Sequence, residues 1–553
     1  MPMDLLELIR PVETMDILTA SAAATGIALH QLFRLREPNI LGAVFTVASA
    51  DAALYALLKG PKMGRATLSI LCWITGTSVA SLLLSMAVYR LSPWHPLAHI
   101  PGPTTYKLTR LRTVLSSWRG THYTAMKRLH TKYGPIVRMG PNAISIVDVG
   151  AVSSVLGASG LPKDHYYRAR HPPTADSLLV MTGTAHAHRR RIWNRGLGQE
   201  TLPIHARAAT AGVERLRQQL DKLADGQTCV NMTDWIRLYG FDFMGEFAFG
   251  KEFGLVQAGT DSIGVWRAIQ RFLVAHDIVG HLPWLGIRAA FIPGLVTALI
   301  ALRNFARKCV QDRLKRPATT LDLWYYLGTE DSDGAGRLRP DELAADGTLA
   351  LVAGSDTSAS AMVCTLFFLL SNPDSLAKAR TEIDAVVANG MTPWASADDH
   401  GALPFMNACI DESLRLMPVV PTNGSRCVPI GSGGKHIAGY FIPEDTEVFV
   451  SPYQLHRDPR YFSPKTEEYR PERWLEPGWI TTRDAFIPFS AGPSQCVGKN
   501  LARIEIIIAL TALLRNYDIA FAPGFRAESF LDQVTEHIVI DVPSLPVLLT
   551  RRV

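Results

Sequence analysis

The sequence predicts a mainly α protein with a small β-rich part and an N-terminal transmembrane anchor, and three observations carry that prediction. Beyond residue 104 most apolar residues recur at the three- to four-residue spacing of a buried helix face. Strand-like patterns are short, the clearest being Tyr133–Pro141 followed by Ile144–Val147, which reads as a β-hairpin pair. From Ala66 to Tyr89 runs an uncharged stretch between Arg65 and Arg90, long enough to cross a bilayer as a helix.

The first 90 residues form the membrane region. Ahead of 66–89 lie two weaker apolar stretches, 17–33, interrupted by His30, and 40–58, interrupted by Asp51, which are possible further spans. Asp4, Glu7 and Glu13 stand against Arg10 alone, which argues against a cleavable signal peptide. With 66–89 spanning and the catalytic part on the cytosolic side, Lys59, Lys62 and Arg65 are lumenal, against the positive-inside tendency. Residues 91–103 include Ser92-Pro-Trp-His-Pro96 and Ile100-Pro-Gly-Pro103, whose prolines forbid a helix and suggest a stiff hinge. Residues 104–553 contain no further linker, repeat or low-complexity block and are expected to form one domain.

Composition narrows the function. A hydrophobic content of 47% and a mean hydropathy of +0.09 fit a large core plus membrane segments. A net charge of +6 is too weak to argue for nucleic acid, and no nucleic-acid-binding pattern occurs, although a basic patch for an acidic protein partner is compatible with it. The seven cysteines are scattered without metal-ligand or disulfide spacing, which leaves one functional thiol among ordinary ones in a reducing compartment.

Four stretches carry candidate chemistry. In Gly183–Leu197, on a predicted helix, His186 and Arg190 share a face one turn apart, while Arg189 and Arg191 read either as a solvated basic face or as a surface for an acidic redox partner. Glu342–Leu370 is one long helical pattern whose middle is Ala353-Gly354-Ser355-Asp356-Thr357-Ser358. Ala353 and Thr357 face the same way there. A mid-helix glycine and a buried acid both cost stability, so the hexad suggests function; the plain alternative is a kinked core helix with a threonine bonded to its own backbone. Next, Glu412 and Arg415 lie three apart and can pair, followed by Arg426 and by Tyr469-Arg-Pro-Glu-Arg473-Trp474. Finally, Phe489–Gly498 reads as a loop around Cys496 with a helix beyond it. Gly492 and Gly498 permit positive φ and close approach by a flat partner, and the helix start aims amide donors at the sulfur, favouring thiolate.

In this order, these stretches resemble the haem-thiolate monooxygenases, the cytochromes P-450, over essentially the whole chain beyond residue 66. The resemblance implies the family's triangular-prism fold and haem b as cofactor. It implies Cys496 as axial ligand of the haem iron, in a loop shaped by Phe489, Gly492 and Gly498. His186, Arg190 and Arg426 match positions that hold haem propionates, whereas Ser494 stands where the family commonly has an arginine. Asp356 and Thr357 match residues that help deliver protons for oxygen activation. Glu412, Arg415 and Arg473 match a buried ion-pair network behind the haem. Trp235, Phe241 and the run Gly245–Gly250 resemble membrane-bound filamentous-fungal members.

The activity so implied is insertion of one atom of O2 into a lipophilic small molecule, by hydroxylation or a related oxidation, in fungal secondary metabolism such as terpenoid biosynthesis. Electrons would come from NADPH through a membrane flavoprotein reductase. The implied location is the endoplasmic reticulum membrane, with the catalytic domain facing the cytosol. Two other readings use the same residues: a haem-binding sensor without turnover, and a haem-thiolate isomerase or dehydratase that needs no reductase. Both leave Asp356 and Thr357 without a task.

Overall fold

The computed structural model describes residues 5–35, 38–59, 67–163, 165–169, 175–285, 295–316, 322–328, 338–389 and 401–552. Expectations concerning Asp4, Lys62, Arg65 and Ala66, and the side chains of Glu7, Arg10 and Glu13, fall outside what is described.

The N-terminal region is three helices, α1 (Leu5–Leu35), α2 (Ile40–Lys59) and α3 (Thr67–Leu91). Both residues that interrupt the apolar stretches turn inward. His30 Nδ1 lies 2.7 Å from Ser85 Oγ, and buried Asp51 accepts from Ser78 Oγ at 2.8 Å. Ser78 and Ser81 also reach the carbonyls of Ala22 and Ala23, at 3.1 and 2.9 Å, and Trp73 Nε1 donates to Thr19. These contacts advance together along α1 and α3, so the two helices run parallel, with α2 antiparallel beside them. Gly26 is required at the crossing, because a Cβ there would sit 2.0 Å from Ser81 Oγ. Such small-residue crossings with serine cross-links are how helices associate in lipid, where apolar contact alone gives no preference. Outward, Leu41, Phe45, Leu57, Leu68 and Leu84 are exposed.

Among the described residues three helices are long and apolar enough to cross a membrane: α2, α3 and Pro340–Ser371. The last has 72% of its apolar window buried in protein and is a core helix.

Residues 91–103 alternate buried and exposed positions, with Ser92, His95, Leu97 and Ile100 buried and Trp94 exposed. Leu97 and Ile100 are buried among the β-side core, and Arg138 N–H donates to Pro101 O at 2.7 Å. The end of α3 is held as well, since Arg90 Nη1 donates to Leu108 O and Arg90 O accepts from Arg138 Nη1.

The major helices that follow are α4 (His122–Tyr133), α5 (Gly183–Gly196), α6 (Leu202–Leu220), α7 (Met232–Phe249), α8 (Val265–Gly280), α9 (Leu295–Leu314), α10 (Pro340–Ser371), α11 (Pro373–Ala388), α12 (Pro404–Leu416) and α13 (Lys499–Asn516). The core gathers around α10, against which α7, α9, α12 and α13 all pack. The α7–α10 crossing is close for a readable reason: a Cβ on Gly240 would lie 2.8 Å from Ser355 O, and one on Gly354 would lie 2.4 Å from Met244 Sδ.

The β-rich part is small. Strands β1 (Ile136–Gly140) and β2 (Ala143–Ile146) pair antiparallel as the hairpin pattern predicts, with Ile136 opposite Ile146. With β4 (Arg426–Cys427) and β7 (Glu447–Phe449) they form a sheet in the order β1-β2-β7-β4, in which only β2–β7 is parallel. A second sheet has the order β3-β11-β8 (Asp225–Asn231, Pro546–Arg551, Tyr517–Phe521), and β5–β6 (Lys435–Ile437, Tyr440–Ile442) and β9–β10 (Thr535–His537, Val539–Asp541) are two-stranded. The observed architecture is the mainly α protein with a small β part that the sequence predicts.

Candidate functional site

The sequence-chosen residues largely converge on one apolar cavity of about 440 Å³, lined by Cys496, Phe489, Gly498, His186, Arg190, Arg426, Ala353 and Thr357. Its other walls come chiefly from aliphatic and aromatic side chains of α7, α8, α10 and the strand end at Ile538–Val539. The volume is that of a small-molecule or cofactor site.

The loop around Cys496 is closed by its own backbone. Cys496 N–H donates to Phe489 O at 2.9 Å, and Gln495 N–H donates to Gly492 O at 3.0 Å. Gly492 has φ +69° and abuts Leu156 O, which a Cβ would approach to 2.0 Å, so only glycine fits. Gly498 differs from the expectation: its φ of −88° is ordinary, and it serves as the N-cap of α13, leaving open space and an amide beside the sulfur. The Cys496 side chain is accessible from the cavity but lies deep in the protein, and burial pushes its thiol up. The Gly498 amide, Arg190 and Lys499 pull the other way without prevailing. The thiolate that the helix start alone suggests therefore needs a cation on the sulfur, and a bound metal ion deprotonates a thiol outright.

At one side of the cavity positive charge accumulates. His186 is pushed down to about 4, first by burial and then by Lys163, Arg190 and Arg426 around it. Arg426 Nη1 donates to Tyr167 Oη at 3.2 Å and to the carbonyls of Gly424 and Ser425. Arg190 donates to Asn194 Oδ1 and to Gln495 O. Neither arginine pairs with a carboxylate among the described residues. Lys163, absent from the sequence reading, is brought beside Arg426 because Cys427 N–H donates to Pro162 O at 3.0 Å. An isolated lysine in a loop gives no sequence signal for this.

Arg189 corrects an expectation. It is not a docking surface: it is 3% exposed and bonds Asp346 at 2.8 Å and Glu342 at 2.7 Å, tying α5 to the start of α10. Arg191 is exposed.

Helix α10 passes the cavity as one uninterrupted helix. Ala353 and Thr357 face it together, and Thr357 Oγ1 donates to Ala353 O at 2.6 Å, so the backbone-bonded threonine coexists with a cavity position. Gly354 makes room chiefly for Met244 of α7. Asp356 does not join the cavity lining. It is buried on the adjacent face, 4.0 Å from Arg237 Nε, and Arg237 in turn bonds Asp541 and Val542 O. Burial raises the Asp356 carboxyl to about 7, with Arg237 opposing and Asp541 adding to the rise. On the facing helix, buried Glu505 is raised to about 8 by desolvation, with Ser358 opposing the rise.

Glu412, Arg415 and Arg473 meet in one fully buried group. Arg415 binds Glu412 bidentately, Nε to Oε2 at 2.7 Å and Nη2 to Oε1 at 2.8 Å, and Arg473 Nε reaches Oε1 at 3.3 Å. Trp474 Nε1 and the Arg470 amide complete the carboxylate, each at 3.0 Å. The remaining guanidinium donors go to the carbonyls of His456, Thr466, Glu468, Pro464 and Lys465.

Comparison with known proteins agrees with this geometry. The family model described as Cytochrome P450 matches residues 101–545. Cytochrome P450 67 of Uromyces fabae is 30% identical over 92% of this chain and 94% of its own length. Cytochrome P450 monooxygenase orf5 of Eupenicillium brefeldianum is 32% identical over 85% and 94%. Tryprostatin B 6-hydroxylase of Neosartorya fischeri is 28% identical over 96% and 98%. With the family model covering most of its length and the cysteine loop, cation cluster and helix hexad set around one cavity, the chain belongs to the cytochrome P450 family and is a monooxygenase of that family.

Proposed function

We propose that this enzyme hydroxylates, or otherwise inserts one oxygen atom of O2 into, a lipophilic small molecule of fungal secondary metabolism, terpenoid skeletons among the candidates. The observation that carries the reading is the placement of Cys496 in the wall of the same apolar cavity as Ala353 and Thr357. The residues present fit haem b. Cys496 would ligate its iron; Arg190, Arg426 and Lys163 would meet its two propionates with the charge that Ser494 does not supply, and the neutral His186 with a hydrogen bond. When bound, haem supplies the binding and reductive activation of O2.

The protein's own part is positioning and proton control. The apolar walls hold a substrate and exclude water. The Thr357 hydroxyl donates to Ala353 O and so presents its oxygen to the cavity as an acceptor that can hold a water. Asp356, whose carboxyl is raised to about 7, can hold and release a proton near the working pH, beside an Arg237 that is itself bonded to Asp541. A group poised near the working pH is suited to such transfer. Relatives named as hydroxylases and monooxygenases support the reaction class. Electrons from NADPH through a flavoprotein reductase, and an endoplasmic reticulum location with residues 104–553 cytosolic, complete the proposal; α2 and α3 support the membrane attachment.

The test is spectroscopic and chemical. The reduced, carbon monoxide-bound protein should absorb at the long wavelength peculiar to thiolate ligation, and Cys496→Ser should remove that band. Microsomes holding the enzyme and its reductase, fed a mixed library of lipophilic metabolites, should yield a product heavier by one oxygen atom. Persistence of the band in Cys496→Ser would assign the ligand to another cysteine.

A further inference from the structure

The cavity holds a further cation outside the group formed by Lys163, Arg190 and Arg426. Arg303 of α9 lies in its wall, which Phe272 and His276 of α8 and Ala345 and Leu349 in the first half of α10 also line. Arg303 is half-buried and has neither a hydrogen-bond acceptor nor a carboxylate partner among the described residues. The acids of α10 nearest this end are already engaged, Asp346 and Glu342 by Arg189, and Asp341 by Arg339. Burial and the like charge of Arg307, one turn on, both push the Arg303 guanidinium down. An arginine at a helix edge ordinarily carries its head into water, where desolvation is small. A desolvated guanidinium without a counter-charge in an otherwise apolar wall is costly unless something else supplies the anion.

We propose that Arg303 binds a carboxylate of the substrate, so that the preferred substrates are lipophilic carboxylic acids. Arginine suits this, because its planar fork matches a carboxylate bidentately. The cluster of Lys163, Arg190 and Arg426 would not compete, since haem propionates would engage it in the holoenzyme. This inference rests on the proposed haem site.

The experiment pairs each acid with its neutral ester. Lauric acid and methyl laurate, and abietic acid and methyl abietate, are titrated into the holoenzyme by calorimetry, which requires no turnover. The acid of at least one pair should bind roughly tenfold or more tightly than its ester, as charge-assisted hydrogen bonds of this kind support. Arg303→Met should bring that ratio to about one while ester affinity stays within about twofold, and Arg303→Lys should retain part of the preference. Equal binding of acid and ester to the parent in both pairs, or an unchanged ratio in Arg303→Met, overturns the proposal. Because each ratio is internal to one variant, partial loss of folded protein does not mimic the result. Failure of the haem assignment shows separately, as loss of the thiolate band before any ligand is added.

Discussion

Glu412 and Asp356 are both buried carboxylates beside arginines, and they differ in how fully they are satisfied. Both oxygens of Glu412 accept from two arginines, an indole and an amide, and each guanidinium around it also finds carbonyls. Asp356 Oδ1 stands 4.0 Å from Arg237 with no hydrogen bond, and Arg237 Nε is likewise unbonded. A complete network rigidifies and has no reason to change protonation; an incomplete one leaves a proton free to move. The difference fits the first group to building the fold and the second to the proton-handling part proposed for it.

The largest expected effect would break the comparison at its structural end. Glu412→Ala leaves two buried guanidinium groups without an anion and should cost about 3–5 kcal/mol, enough that little folded haem protein is recovered. Thermal unfolding close to the parent's would place this network outside the fold's essential supports.

Next comes Asp356→Asn, which should purify folded but lose about tenfold to a hundredfold in turnover. Its stability has a signed pH dependence. The folded carboxyl sits near 7, above its unfolded value of 3.8. In the parent, the associated stability is therefore fully present below pH about 4 and lost as pH rises toward and through 7. The asparagine variant lacks this loss, so its melting temperature relative to the parent should climb from pH 5 to pH 7.5 and then level off. A flat difference would mean that Asp356 is already ionised at pH 5.

Thr357→Ala sharpens the comparison on the cavity side. Its hydroxyl bonds only its own helix, so stability should change by less than about 1 kcal/mol. Haem and substrate affinity should stay nearly intact, while hydrogen peroxide rises and product per NADPH falls. Parent-like coupling would leave proton steering to water alone.

The smallest effect is expected at the cation cluster, where four groups share one task. Arg426→Ala or Lys163→Ala alone should lower haem occupancy at purification moderately, and the pair should lower it more than either. Full occupancy in the double variant would assign the propionates elsewhere.

What was legible in the sequence follows the distance over which each contact acts. Glu412 and Arg415, or Ala353 and Thr357, are set by helical spacing, and Gly492 by a loop that closes on itself. Arg473 reached the same group only through resemblance to a family, since 61 residues separate it from Glu412. Arg189 was misread because the acid that buries it, Asp346, lies 157 residues away. Lys163, Arg237 and Arg303 gave no local pattern at all; their positions follow from strand and helix contacts that no window of sequence contains. Glu505 did leave a sign, an acid inside the apolar run Ile504–Leu510.

The first residue of α2 touches the rest of the enzyme. Ile40 N–H donates to Trp284 O at 3.1 Å, in the segment that follows α8, whose Phe272, Leu273 and His276 line the cavity. The N-terminal helices are thus not an interchangeable tag. In a chimera carrying a foreign single-helix leader, or in a shortened form made for crystallisation, the segment at Trp284 would lose a fixed neighbour. Ligand selectivity measured on such a form would then describe a slightly different enzyme from the one the full chain makes.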